Sequence, residues 1–170
     1  TASNRVYNAS ASATSVLDTT NAALSGVEAG DTVTLSTASI AGAFANKNVG
    51  TAKAITISGL TISGTDAANY SLTQPASSAN VTARTITVTG ITANNRVYNA
   101  STSATALLMK TSAALSGVES GDTVTLNHAS AIAAFDDKNI GTAKNITIAG
   151  IAIAGADAGN YSLTQPSTTA

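Results

Sequence analysis

Lys53, Asp66 and Asn69 carry the three groups that an uncatalysed amide crosslink needs: an amine, a carboxyl and a carboxamide. In an apolar setting, burial lowers the amine's pKa and raises the acid's, which leaves a neutral nucleophile and a proton donor. Attack of the Lys amine on the Asn side chain would join the two and release ammonia. The same three types stand at Lys144, Asp157 and Asn160. Surface domains without Cys can use such a bond to resist pulling. A second chemistry draws on overlapping residues. Asp31, Asp66 and Asn69, with Asp122, Asp157 and Asn160, offer hard oxygen ligands of the kind calcium takes. No EF-hand loop or dense acidic run accompanies them, and no other cofactor is expected. Plain turn chemistry competes with both readings, because Asp31 follows Gly30 and Asp66 precedes Asn69, as turn-forming residues do.

No catalytic residue is expected. His128 is the only His, there is no Cys, and neither a zinc site nor a nucleophilic triad can be assembled around it. Its place is that of a solvated strand or turn residue. Sequons at Asn8, Asn69, Asn80, Asn99, Asn145 and Asn160 are what chance produces in a chain this rich in Asn, Ser and Thr. Asn69 and Asn160 adjoin Tyr residues expected in the core, which makes them poor acceptors. For recognition of a ligand, the best local candidate is Arg5 beside Tyr7, repeated as Arg96 beside Tyr98, since interface hot spots favour Tyr and Arg.

All these residues come in pairs because the chain is written twice. Asn4–Ala9 returns as Asn95–Ala100, and the same offset of 91 carries Leu24–Glu28 onto Leu115–Glu119 and Asp66–Pro75 onto Asp157–Pro166. No gap is needed anywhere. Six charged positions recur: Arg5/Arg96, Glu28/Glu119, Asp31/Asp122, Lys47/Lys138, Lys53/Lys144 and Asp66/Asp157. A period this long is not a solenoid turn, where units of about 20–50 residues cannot bury a core alone. It suits two small domains, 1–82 and 83–170, with the boundary near Thr82-Ala83-Arg84. No Pro/Gly/Ser-rich linker separates them, so a semi-rigid rod is expected.

Composition removes other classes. Charged residues are only 10% of the chain with a net charge of -1, so there is no basic stripe for nucleic acid. No apolar run is long enough to span a membrane. Hydrophobic residues make up 44%, which with so little charge predicts folding rather than disorder. The chain carries neither an initiator Met nor a signal segment, which points to a fragment or a processed product.

The elements that must position these residues are strands. Thr85–Thr89 alternates Ile86 and Val88 with three Thr, as a half-buried strand requires. Thr32–Leu35, Lys53–Ser58, Leu60–Ser63, Tyr70–Leu72 and Asn80–Thr82 follow the same period, bounded by Gly, Asn and Asp. Ala13–Leu24 reads as irregular extended structure rather than as a short helix. Phe44, Phe135 and the four Tyr (Tyr7, Tyr70, Tyr98, Tyr161) are the expected large core residues. Many short strands with turn signals between them predict an all-β fold of two immunoglobulin-like β-sandwich domains.

Three blocks then resemble a known family. Gly30–Leu35, Lys47–Lys53 and Gly59–Leu72 occur in the order found in the YDG domain, a relative of the MBG repeats. Tyr7-Asn8-Ala9 and Tyr98-Asn99-Ala100 stand where the family name has Tyr-Asp-Gly, and a Gly there would supply a turn with φ > 0. The resemblance implies an immunoglobulin-like sandwich, no catalysis, and a place in large secreted adhesins of the bacterial cell surface. The leading expectation is therefore an extracellular stalk or spacer that projects a distal binding domain, its partners being neighbouring repeats of the same parent chain. One alternative is a module that binds host or matrix glycans or proteins by avidity. The other is a fibre subunit that self-associates through sheet edges. The strand Thr85–Thr89 has no equivalent ahead of Thr1, and Asn80–Thr82 has none after Ala170, so each unit is expected to lack one strand.

Overall fold

The computed structural model describes residues 1–170, and the chain is all-β apart from single 3-10 turns. It divides into two compact units, Thr1–Thr82 and Ala83–Ala170. No helix is long and apolar enough to cross a membrane.

Unit 1 contains β1 (Arg5–Val6), β2 (Thr34–Ser36), β3 (Ala41–Phe44), β4 (Gly50–Ser58), β5 (Thr61–Ser63) and β6 (Ala76–Thr82). One sheet runs β1-β6-β4-β3, and β2 pairs with β5 in a second. β4 is the spine: Ile55 and Ile57 are buried while Thr56 and Ser58 face out. The branched side chains suit the pleat, and each fully buried Ile contributes about 1.5–3 kcal/mol by area. Phe44, Ala79 and Val81 complete this face. β1 lies parallel to β6, with Arg5 opposite Val81 and Val6 opposite Thr82. The Tyr7 amide extends the ladder to the Thr82 carbonyl at 2.9 Å, and the Tyr7 side chain is 0% exposed beneath it.

Unit 2 contains β7 (Arg84–Thr89), β8 (Thr92–Ala93), β9 (Leu108–Met109), β10 (Ala114–Ser116), β11 (Thr125–Asn127), β12 (Ile132–Phe135), β13 (Asn145–Ala149), β14 (Ala152–Ala154), β15 (Tyr161–Thr164) and β16 (Ser167–Thr169). β7 is central in a sheet ordered β10-β7-β15, antiparallel to β10 and parallel to β15. β12-β13-β16 form another sheet, and β11 pairs with β14 as β2 does with β5. The core gathers Val88, Ile91, Ile146, Ile148 and Ile151, with Leu115, Leu126 and Leu163 packed against it.

The copies differ in which strands they complete. Tyr70–Leu72, expected as a strand, is irregular in unit 1, whereas its counterpart is the regular β15 of unit 2. The reason is the partner: β15 is paired by β7, and unit 1 holds no strand equivalent to β7. The converse holds for Arg96–Val97. Nothing in unit 2 pairs with it as Val81–Thr82 pairs with β1, and β16 is shorter than β6. Tyr98 is consequently 54% exposed and Val97 89%, and Tyr70 is only half-buried, so of the four Tyr expected in cores Tyr7 and Tyr161 alone are there. Ala13–Leu24 contains one 3-10 turn at Thr14–Val16 and is otherwise without regular structure except a bridge between Ala2 and Leu17.

Candidate functional site

Arg5, Asp31 and Asp66, with their counterparts Arg96, Asp122 and Asp157, anchor two structural clusters in each unit. The first joins the loop ahead of β2 to the loop after β5. In unit 1, the Tyr70 hydroxyl donates to the Asp31 carboxylate at 2.7 Å and accepts from the Glu28 amide at 3.0 Å. Asp66 accepts from the Thr32 amide at 2.8 Å, and its own amide donates to the Thr32 carbonyl at 3.3 Å. Gly64 makes this approach possible: it sits at φ +125°, where a Cβ would fall 2.2 Å from the Thr32 carbonyl oxygen. Unit 2 repeats the clamp. Tyr161 donates to Asp122 at 2.6 Å and accepts from Glu119 at 3.0 Å, while Asp157 accepts from Thr123 at 2.9 Å. The hydrogen bond to Asp31 raises the Tyr70 pKa, because losing that proton would leave two anions in contact.

A second link lies nearby. The Gln74 carboxamide accepts from the Leu60 amide at 3.2 Å and donates to its carbonyl at 2.9 Å. Gln165 does the same to Ile151 at 3.1 and 2.8 Å. Sequence reasoning passed over this residue, although the Tyr-Ser-Leu-Thr-Gln-Pro block that carries it is repeated unchanged.

The other cluster is a ring platform. The Arg5 guanidinium lies over the Phe44 ring, 4.7 Å from its centroid, and the Lys53 ammonium is 5.8 Å from the same centroid. Arg5 also donates to the carbonyls of Ser10 and Ser12, which closes its own loop. Arg96 repeats this on Phe135 at 4.8 Å, with donors to Ser101 and Ser103. Burial pushes the Arg5 pKa down, and burial followed by repulsion from Arg5 does the same for Lys53. Between these residues the chain turns at Ala9, with φ 57°, and Ala100 matches it at φ 59°.

A family model for the YDG domain matches residues 1–78 and again residues 82–170. The chain belongs to the YDG domain family. No curated protein and no solved structure matches it. In this YDG chain an Ala follows each Tyr-Asn pair, and both copies hold it in a left-handed turn. The turn lies within the loop that Arg5 closes, and an L-residue adopts it at a cost of about 1–2 kcal/mol.

The placement of each proposed site follows from these clusters. The YDG units put Lys53 and Asp66 in separate hydrogen-bond groups. Lys53 opens the regular part of β4, opposite Ala79 of β6, and its ammonium donates to the Asn46 carbonyl at 2.9 Å, to the Asn46 side chain at 2.7 Å and to the Asn48 carbonyl. Asp66 caps Thr32 in the clamp, and Asn69 ends the following 3-10 turn with its side chain exposed. Lys144 pairs with Asp137 and with Asp136 at 3.4 Å, and the first of these raises its pKa. The same Lys position is thus pushed in opposite directions in the two copies. For calcium, Asp31 and Asp66 come to one loop pair, as do Asp122 and Asp157, but each turns an oxygen onto a donor of the chain itself. No three His, Asp or Glu side chains gather in one group. Asn160 is buried and Asn69 exposed, so only the first is sheltered in the way expected of both. Arg5 and Arg96 are engaged with their rings and carbonyls, and Tyr7 is buried where Tyr98 is not. His128 contributes its carbonyl, which accepts from Lys110 at 3.1 Å.

Proposed function

We propose that the two YDG units are serial structural modules of a bacterial cell-surface adhesin, setting the distance between the cell and a distal binding domain. The observation that carries this reading is where the shared charges go. The Asp31 and Asp66 carboxylates, the Tyr70 hydroxyl and the Arg5 guanidinium, with their counterparts, hold loops together within each unit. What the two copies have in common is the means of folding, and that is what a spacer must keep. A surface repeated for avidity would present the same groups twice, whereas Tyr7 and Tyr98 differ in exposure. An extracellular location accords with this role.

The test replaces residues 1–170 in the displayed parent protein with an inert all-β spacer of equal length and measures cell adhesion. Adhesion that survives supports the spacer role. Adhesion lost at unchanged display and length would assign binding to these units, and Arg96 and Tyr98 would be the first residues to substitute.

A further inference from the structure

Unit 1 carries an open groove of about 630 Å³ with polar and apolar walls, where unit 2 is filled by β7. Its walls include Leu24, Val33, Leu35, Ile62, Tyr70 and Leu72. In unit 2 the counterparts of Leu24, Leu35 and Leu72 are Leu115, Leu126 and Leu163, and these pack on the core that contains Val88 and Ile91 of the β7 segment. β7 is held there on both edges: Leu115 opposes Val88, and Leu163 opposes Ile86. Its buried residues are Ile86 and Val88, and Ile91 just beyond it is buried too. Polar contacts fix its start, since Arg84 reaches the Glu119 carboxylate at 2.7 Å and donates to the Gly117 carbonyl at 2.9 Å. Unit 1 has the receiving half of every one of these contacts. Ala23–Ser25 and Tyr70–Thr73 are the two edges, and Glu28 and Gly26 stand at the positions of Glu119 and Gly117.

We propose that the unit 1 groove is the seat of a connector strand from another YDG unit, with the sequence character of Arg84–Ile91. The strand enters parallel to Tyr70–Thr73 and antiparallel to Ala23–Ser25, turns its Ile and Val into the groove, and sets its leading Arg on Glu28. Main-chain ladders on both sides supply affinity, and the alternate apolar side chains supply register. The stretch from Asn80 to Ile91 would then be the joint of the array: its first part completes one unit through Val81, and its second completes the next through β7. The inference rests on reading the units as serial modules, but its test reads strand docking alone, so docking can fail while the spacer role stands.

The experiment extends the full chain ahead of Thr1 with the sequence of residues 84–91, which brings Thr1 into the position Thr92 holds after Ile91. Amide hydrogen exchange at Ala23–Ser25 and Tyr70–Thr73 is then compared with the parent chain. Docking is expected to slow these amides by about tenfold or more, toward the behaviour of β10 and β15. An extension carrying the equivalents of Ile86→Ser and Val88→Ser is expected to leave them unchanged. Equal protection by both extensions, or by neither, overturns the proposal. So does a chain that, without any extension, dimerises and protects the same amides, because a second copy would then be the occupant.

Discussion

Tyr70 donates its hydroxyl hydrogen to the Asp31 carboxylate, 39 residues away, and Tyr161 bonds Asp122 across the same interval. In unit 1 the bond ties the loop after β5 to the loop ahead of β2. In unit 2 Tyr161 is buried, so removing its hydroxyl leaves Asp122 and the Glu119 amide short of a partner. Tyr161→Phe is expected to destabilise unit 2 by about 1–2 kcal/mol in denaturant melts, and Tyr70→Phe to destabilise unit 1 by less. The bond also sets an alkaline limit. The pKa of Tyr70 is raised in the fold, so its contribution is complete below the unfolded value of 10.0 and is lost as pH rises through the folded value. Stability measured upward from pH 9 should fall more steeply in the parent than in Tyr70→Phe; equal slopes would remove the bond as the cause.

Gly64 holds that clamp closed. A methyl group there meets the Thr32 carbonyl at a backbone angle that L-residues rarely adopt. Gly64→Ala is expected to cost about 2 kcal/mol or more, and to speed exchange of the Thr32 amide, which Asp66 caps. Gly26→Ala is the comparison, since its φ is also positive but no atom lies within 4 Å of the added methyl. If the two cost the same, close approach contributes nothing and only the dihedral matters.

Ala9 and Ala100 pose the opposite case. Each is an L-residue in left-handed backbone, worth about 1–2 kcal/mol of strain, against about 0.5–1 kcal/mol of extra chain entropy that a Gly would lose on folding. The balance favours Gly. Ala9→Gly is expected to stabilise unit 1 by about 0.5–1 kcal/mol, and Ala100→Gly to do the same for unit 2, measured as a shift of denaturation midpoint at constant slope. A loss of stability at either site would mean the turn is not strained.

The strands were legible where alternation was strong. β7 follows from its Thr-Ile-Thr-Val-Thr period alone, and β4 from Ile55 and Ile57. β3 escaped because three of its four residues, Ala-Gly-Ala, carry little β propensity, and its pairing with β4 supplies what they lack. Tyr70–Leu72 shows the same limit from the other side: its pattern is that of a strand, yet it becomes one only in the copy where β7 lies alongside. Residue types at the clamp were also readable, and Asp31 and Asp66 stood out as turn residues. Their partners were not, since nothing local relates Tyr70 to Asp31. The crosslink trio meets the same limit: suitable types in a suitable order carry no information about which loops meet.

Lys53 and Lys144 show how one neighbour sets a charge. Lys144 faces Asp136 and Asp137, while the residue matching Asp137 in unit 1 is Asn46. The Lys144 bond raises its pKa and lowers that of Asp137, so each stabilises the pair's charged forms. By linkage, the Asp137 contribution is present above its unfolded value of 3.8 and lost as pH falls, and the Lys144 contribution is present below 10.5 and lost as pH rises through the folded value. Lys53, near Arg5 and held by neutral oxygens, has the reverse shift. Asn46→Asp should therefore raise the Lys53 pKa and reproduce the behaviour of Lys144, whereas Asp137→Asn should lower that of Lys144. Side-chain NMR titration of the two Lys reads both changes. If Lys53 stays depressed in Asn46→Asp, burial and Arg5 outweigh a direct carboxylate. The difference between the copies would then lie in the ring platform rather than in the neighbour.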